Sequence, residues 1–212
     1  MNWHWAPHVH AAMHGDDLVL LDALRNDYVV LPQAKDLIRL EPSGVGAQLF
    51  DEDLARELTE AGLGVSGQSG PQVSRVQAPA AEADLYDDPD PPVSTAAAAG
   101  LALLSARVST HLRWSSLSRV IARPAVIDGG EGEVRRKAIA LRVALPWLPF
   151  QGECLYRAAL LRAHLGDLAG RTHWVFGVST WPFAAHCWVQ LDGLVLNDRL
   201  QRVRRYTPIL AV

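Results

Sequence analysis

Hydrophobic and polar positions change period along the chain in a way that divides it into two patterned parts. In the first, His8–His14, Leu18–Leu24 and Tyr28–Leu31 predict three short strands, with Gly15–Asp17 and Asn26–Asp27 supplying turn chemistry between them. A short helical stretch around Gln33–Arg39 follows, then a better-marked one over Asp51–Ala61. Asp51 is placed to cap the latter, and Gly62 and Gly64 to stop it. Beyond residue 94 the period is helical: Thr95–Arg113, then Glu133–Leu145 closed by Pro146 and Pro149, then Glu153–Leu165. The last carries Leu155, Ala158, Ala159, Leu161 and Leu165 as one apolar stripe ending at Gly166. After Gly170 the pattern turns strand-like, over Trp174–Ser179, Ala184–Leu191, Leu194–Asn197 and Tyr206–Val212. Strands then helices, followed by helices then strands, predict an α+β fold rather than a parallel α/β sheet.

Composition sets the boundary between the two parts. Residues 66–94 are rich in Gly, Ser, Pro, Ala and acid with no sustained period, and are read as a flexible linker between units at 1–65 and 95–212. The 65-residue unit is small enough to need a partner surface. With 212 residues, 49% apolar and 20% charged, the chain is expected to be a folded soluble protein of one or two domains. The start has no basic region leading into an apolar run, so no secretory signal is read. The most apolar stretch, Ala96–Ala106, is about half of the ~20 residues a bilayer requires. A cytoplasmic protein without a membrane span is expected.

Charge sharpens the division. Residues 1–90 hold 16 Asp and Glu against 5 Lys and Arg, and residues 91–212 hold 7 against 15, giving formal charges of −11 and +8. Such asymmetry fits two units with different partners or a mutual attraction. The basic half has no dense Lys/Arg run or nucleic-acid fingerprint, so nucleic acid is not expected as a partner. Two cysteines, Cys154 and Cys187, are too few for a disulfide framework, and neither has zinc-site spacing. Reduced thiols are expected. No phosphate-binding glycine loop or metal motif appears, and no cofactor is expected.

Cys154 falls in the first turn of its predicted helix, where unpaired N–H groups and the dipole favour a thiolate and can also hold a developing oxyanion. Alone, it reads equally as a small buried hydrophobe. A nucleophile needs a base in reach. His164 is ten residues further along the same helix, about 15 Å away, and is excluded. His186, on a predicted strand between Ala185 and Cys187, is the better candidate, with His173 the second. Cys187 is expected to face the core, because adjacent strand residues point to opposite faces. The residue orienting the imidazole depends on register. If Asp192-Gly193 is a two-residue turn, Gln190 pairs with Val195 and Asn197 shares the His186 face. If Leu191-Asp192-Gly193 is a three-residue loop with Gly193 left-handed, Gln190 pairs with Leu194 and Asp198 lies opposite His186. The residues alone leave Cys-His-Asn and Cys-His-Asp both open. A metal site at His4, His8, His10 and His14 has no carboxylate or Cys to complete it. Trp147, Trp174, Trp181 and Trp188 read as core or cleft wall, with Trp181 and Phe183 as candidates for lining a substrate groove.

The stretches GECLYRAALLRAHLG and WVFGVSTWPFAAHCWVQLDGLVLND resemble the transglutaminase-like domain of lasso-peptide biosynthesis B proteins, leader peptidases of the microcin J25 type. The match runs over residues 147–212 and rests on a Cys at a helix start, a V-F-G-V strand, P-F-x-A-H-x-W-V and a closing N-D. The resemblance implies a papain/transglutaminase-like cysteine peptidase domain with Cys154, His186 and Asp198 as the catalytic set, and so favours the second register. Family members often carry Ala and Glu where this chain has Cys187 and Gln190; neither replaces a member of that set. Residues 1–65 resemble the small winged-helix-like βββ-α recognition element fused to such peptidases, through the order of elements and the D-x-Y-V-V-L-P type stretch ending at Pro32. That resemblance implies a leader peptide added as a strand beside Tyr28, Val29, Val30 and Leu31, next to the helix bearing Leu54 and Leu58. It also implies a precursor peptide and a separate ATP-dependent lasso cyclase as partners. The acidic first half suits a basic leader.

The expected reaction is acyl transfer to water, with Cys154 attacking, His186 carrying the proton, Asp198 holding the tautomer, and the Cys154 N–H, with Gln151 as a candidate second donor, binding the oxyanion. Two other readings stand beside it. A transamidase would use the same three residues with an amine as acceptor, and a non-catalytic scaffold would present the precursor without cutting it.

Overall fold

The computed structural model describes residues 1–67, 75–92, 94–121, 130–150 and 152–212. The chain is mixed α+β, with strand-rich sheets near the start, then helices, then a mostly antiparallel sheet. It divides into two compact units, residues 1–77 with 177–185 and 206–211, and residues 78–176 with 186–205 and Val212.

The first unit opens with β1 (Asn2–Trp5), followed by the meander β2 (Val9–His14), β3 (Asp17–Asp22) and β4 (Asp27–Leu31). These three meander strands fall where the short apolar runs and the turn residues between them predict. Gly15, at φ 61°, turns β2 into β3, with His14 opposite Asp17. Between β3 and β4 the Asp22 carboxylate accepts from the Leu24 and Arg25 N–H groups, an Asx-type turn that lets Asn26 take φ 54°. β4 is the edge strand of this sheet, and Val29 is exposed on it.

The helix expected around Gln33–Arg39 is replaced by a single 3-10 turn at Ala34–Asp36 and then β5 (Ile38–Leu40). Gln33 enters with φ 55°, which cannot propagate a right-handed helix. Ile38 is buried opposite Leu49 with Arg39 exposed between, a period of two too short to stand out in the sequence. β6 (Gly46–Leu49), α1 (Glu52–Glu60) and β7 (Gly64–Ser66) complete a second sheet in the order β5-β6-β1-β7. Asp51 caps α1 as expected, accepting from the Leu54 N–H at 2.7 Å, a bond that contributes about 1 kcal/mol. Trp3 and Trp5, edge to face at 5.9 Å, centre a core with Leu18, Leu20, Ile38 and Leu49. Glycine is required at position 64, because a Cβ there would lie 2.4 Å from the His4 carbonyl oxygen.

The second unit contains β8 (Ala83–Asp84), α2 (Thr95–Trp114), α3 (Leu117–Val120), α4 (Glu131–Ala144) and α5 (Cys154–Leu165). β9 (His173–Ser179), β10 (Ala184–Leu191), β11 (Leu194–Val195), α6 (Leu200–Val203) and β12 (Thr207–Ala211) follow, and the sheet order is β12-β9-β10-β11-β8. The division assigns residues 177–185 and β12 to the first unit. α5 packs along α2 and α4, burying Tyr156, Ala158, Leu160, Leu161 and Leu165. The buried Tyr156 hydroxyl meets Ser105 of α2 at 2.8 Å, which fixes the first turn of α5.

The stretch read as linker carries structure of its own. Residues 68–74 and 93 lie outside the described residues, but Ala83 and Asp84 pair in parallel with Leu194 and Val195, and Leu85 is buried. Among the described residues no helix is long and apolar enough to cross a membrane.

Candidate active site

Cys154 is the first residue of α5, after the extended Glu153. Its position follows from the sequence of that helix. The stripe from Leu155 to Leu165 places the helix, and Gly152 gives the approach, since a Cβ there would strike the Tyr156 ring at 2.4 Å. The first-turn N–H groups have no partner within the helix, so an anion here is stabilised. The thiol is half-buried.

His186 and Cys187 stand on β10, 5% and 3% exposed. The His186 Nε2–H donates to Asp198 Oδ2 at 2.5 Å, and its ring stacks on Trp188 at 6.2 Å and 26°. The imidazole also bonds the Cys154 side chain.

The electrostatics of these groups lock together. The side chain of Cys187 does most to hold the Cys154 thiol down, to about 4; burial opposes this, and His186 and the Cys187 N–H add to the lowering. Burial works against a charged His186, but bonds to Asp198 and Cys154, with their charges, raise it above its ordinary value. Burial likewise opposes ionised Asp198, but His186 and the Arg199 N–H, at 2.7 Å, keep it below the usual carboxylate range. Cys187 is pushed far up by its bond to Cys154, by burial and by the Cys154 charge. Both shifts favour a thiolate beside an imidazolium. Such a pair can attack a carbonyl carbon and deliver a proton to the departing group.

The route by which Asp198 reaches His186 differs from the expected register. Gln190 pairs with Val195 and Leu191 with Leu194, so the turn has two residues, and its left-handed member is Asp192 at φ 50° rather than Gly193. Glycine at 193 serves another purpose, its carbonyl accepting from the Glu82 and Ala83 N–H groups while a Cβ would crowd the Ala80 carbonyl oxygen at 3.1 Å. In this register a continuing ladder would put Asn197 on the His186 face. The ladder stops instead. Leu196 N–H still donates to Val189 O, but the Asn197 side chain accepts from the Val189 N–H at 2.8 Å, standing in for a strand carbonyl. The chain peels away there, and Asp198 turns back onto the imidazole.

Cys187 is buried in the core, as expected, and its thiol and N–H also act on Cys154. Both neighbours on β10 reach Cys154, His186 through its ring and Cys187 through its thiol and its N–H. This contact carries a pH prediction. A hydrogen bond to a charged group contributes about 1.5–3 kcal/mol, and one pKa unit is about 1.4 kcal/mol. Cys187→Ala should raise the midpoint of Cys154 alkylation against pH by about one to two units, and Cys187→Ser, which keeps a donor, by less. An unmoved midpoint in Cys187→Ala would refute the contact.

The other candidates separate. Gln151 lies outside the described residues. His164 is near the far end of α5, its pKa lowered by burial and by Lys137. His173 begins β9. Trp181 and Phe183 belong to the first unit, where the Trp181 indole donates to Asp17 at 2.8 Å and Phe183 packs on Tyr28 at 5.5 Å. Tyr28, Val29, Val30 and Leu31 form the edge strand β4. Leu54 and Leu58, expected beside a bound peptide, are 8% and 4% exposed and face the core. Of the N-terminal histidines, His8 is 3.8 Å from Asp22, His14 bonds Thr207, and burial, Arg75 and His8 lower His10 to about 4. Among the described residues no three His, Cys, Asp or Glu are grouped to hold a metal ion. Gln190 is a residue that sequence reasoning left without a role. Fully buried, it accepts from the Trp188 indole and donates to the Pro79 and Asp192 carbonyls.

Residues 95–211, which include Cys154, His186 and Asp198, match a family model described as Transglutaminase-like superfamily. Neither the curated proteins nor the solved structures gave a significant match.

Proposed function

The chain belongs to the transglutaminase-like superfamily, and on that premise we propose that it is a cysteine peptidase that removes the leader from a ribosomally made lasso-peptide precursor. The observation that carries the reading is the 2.5 Å bond from His186 to Asp198 on a side chain that also bonds the Cys154 thiol at the start of a helix. In the proposed cycle the Cys154 thiolate attacks the scissile carbonyl, and the helix-start N–H of Cys154 binds the oxyanion. The His186 imidazolium protonates the departing amine as the C–N bond breaks, leaving a thioester. His186 then takes a proton from water, which attacks the thioester and releases the leader acid and the thiolate. Asp198 holds the imidazole throughout.

Substrate choice is proposed to lie in the first unit. A leader would add a strand along β4 at Tyr28–Leu31, where main-chain bonds give affinity and side-chain pockets selectivity. The surplus of acid in residues 1–90 favours a leader carrying basic residues. The freed core amine would pass to an ATP-dependent cyclase partner. The test is mass spectrometry of the precursor incubated with the wild-type protein and with Cys154→Ala. Free leader and core from the wild type alone would support the reading. An amine adduct in place of the leader acid would make the protein a transamidase, and an intact precursor in both would leave a scaffold.

A further inference from the structure

Asp84 touches none of the three proposed reacting residues, yet it is tied to the turn that carries one of them. Its Oδ2 accepts from the Leu200 N–H at 2.7 Å and its Oδ1 from the Tyr86 N–H at 2.9 Å. Leu200 is two residues beyond Asp198. The intervening Arg199 lays its guanidinium over the Tyr86 ring at 4.8 Å, and Arg142 lies over the same ring at 5.7 Å. Arg142 also donates to the Leu85 and Asp88 carbonyls and to Asp90 at 2.6 Å. The Leu85 N–H donates to Val195 O. The segment 83–90 is thus fixed to α4 on one side and to the chain around Asp198 on the other.

From these bonds we infer that Asp84 is a positioning residue for the His186–Asp198 pair, acting through the turn 196–200. The ladder between β10 and β11 ends before that turn, and the turn is held instead by isolated bonds. Asn197 fixes its start against Val189, and Asp84 fixes its end at Leu200. Between those two anchors the Asp198 carboxylate is aimed by its bond from His186, by the Arg199 N–H at 2.7 Å and by Arg202 at 4.0 Å, with Arg199 itself held over the Tyr86 ring. Removing the second anchor frees one end of the turn. A misplacement of about 1 Å costs on the order of 100-fold where geometry sets the rate. The inference rests on Cys154, His186 and Asp198 being the reacting groups, and it explains why a segment with a linker's composition is docked so specifically.

The test compares Asp84→Ala, Asp84→Asn and Leu85→Ala in the full chain. Leu85 is buried in the same segment, so its truncation loosens the packing while leaving both acceptors of Asp84 in place. Asp84→Ala should lower kcat for precursor cleavage about 10- to 100-fold with KM unchanged, and should shift or broaden the downfield proton resonance of His186 Nε2–H. Asp84→Asn has a single acceptor oxygen and should fall between. Leu85→Ala should lower Tm at least as much as Asp84→Ala, yet keep the resonance and most of kcat. An unchanged resonance in Asp84→Ala, or an equal kcat loss in Leu85→Ala, would overturn the inference. The resonance needs no substrate, so it decides the positioning role even if the wild type cleaves nothing, which would defeat the peptidase reading alone.

Discussion

Cys154→Ala, His186→Ala and the double variant are expected to cleave the precursor at the same residual rate, lower than wild type by about 10⁴-fold or more. Groups that act as a unit are not additive. Without the sulfur there is no acyl intermediate, and the imidazole has nothing to serve. Without the imidazole the sulfur loses two things. The departing amine has no proton donor, which by itself costs about 10²–10⁴-fold. The thiolate also loses the neighbouring cation that helps hold it at low pKa. Cys187 would still hold the thiol down in part, so Cys154 should remain alkylatable in His186→Ala while cleavage is lost. Single-turnover mass spectrometry at pH 7, with alkylation rates alongside, checks both halves. A His186→Ala protein within tenfold of the wild-type rate would mean that another base serves the sulfur.

The parts of this molecule that were legible in its sequence are those where one local rule suffices. The stripe from Leu155 to Gly166 locates α5 and therefore sets Cys154 at its first turn. Short apolar runs bounded by turn residues locate β2, β3, β4, β9 and β10, and so His186. Asp51 announces the start of α1. What was not legible depended on choices between neighbours. An Asp-Gly pair allows either a two- or a three-residue hairpin, and nothing local reveals that Asp192 rather than Gly193 takes the positive φ. Nor does local pattern show that the Asn197 side chain replaces a strand carbonyl, the event that lets Asp198 arrive from a register that would otherwise exclude it. β1 and β5–β7 are three or four residues long, below the length at which a period of two can be counted. Leu54 and Leu58 form the apolar face of α1, and the tryptophan core claims that face before any ligand could. Residues 83–90 were invisible for a different reason. They are held by contacts to Arg142, Val195, Arg199 and Leu200, each a residue distant in sequence, and composition has no view of such contacts.

Asp198 is expected to reveal itself through the alkaline limb of the pH–rate profile. The thiolate–imidazolium pair exists between the pKa of Cys154, about 4, and that of His186, which is raised above its ordinary value largely through Asp198. Activity should therefore rise with pH as the thiol ionises and fall as the imidazolium loses its proton. Asp198→Asn keeps an acceptor for Nε2–H but removes the negative charge that favours the cation. Its alkaline limb should move to lower pH, while the acid limb, where His186 is protonated in either protein, stays in place. Asp198→Ala removes acceptor and charge together, so the ring is also free to turn, and kcat should fall by about 10²–10⁴-fold. Asn197 provides the contrast. Asn197→Ala strips the Val189 N–H of its partner and should cost about 1–3 kcal/mol of stability, with both pH limbs where the wild type has them. If Asn197→Ala moved the alkaline limb and Asp198→Asn did not, the third member of the site would be Asn197, and the turn at 196–200 would have to rearrange when substrate binds.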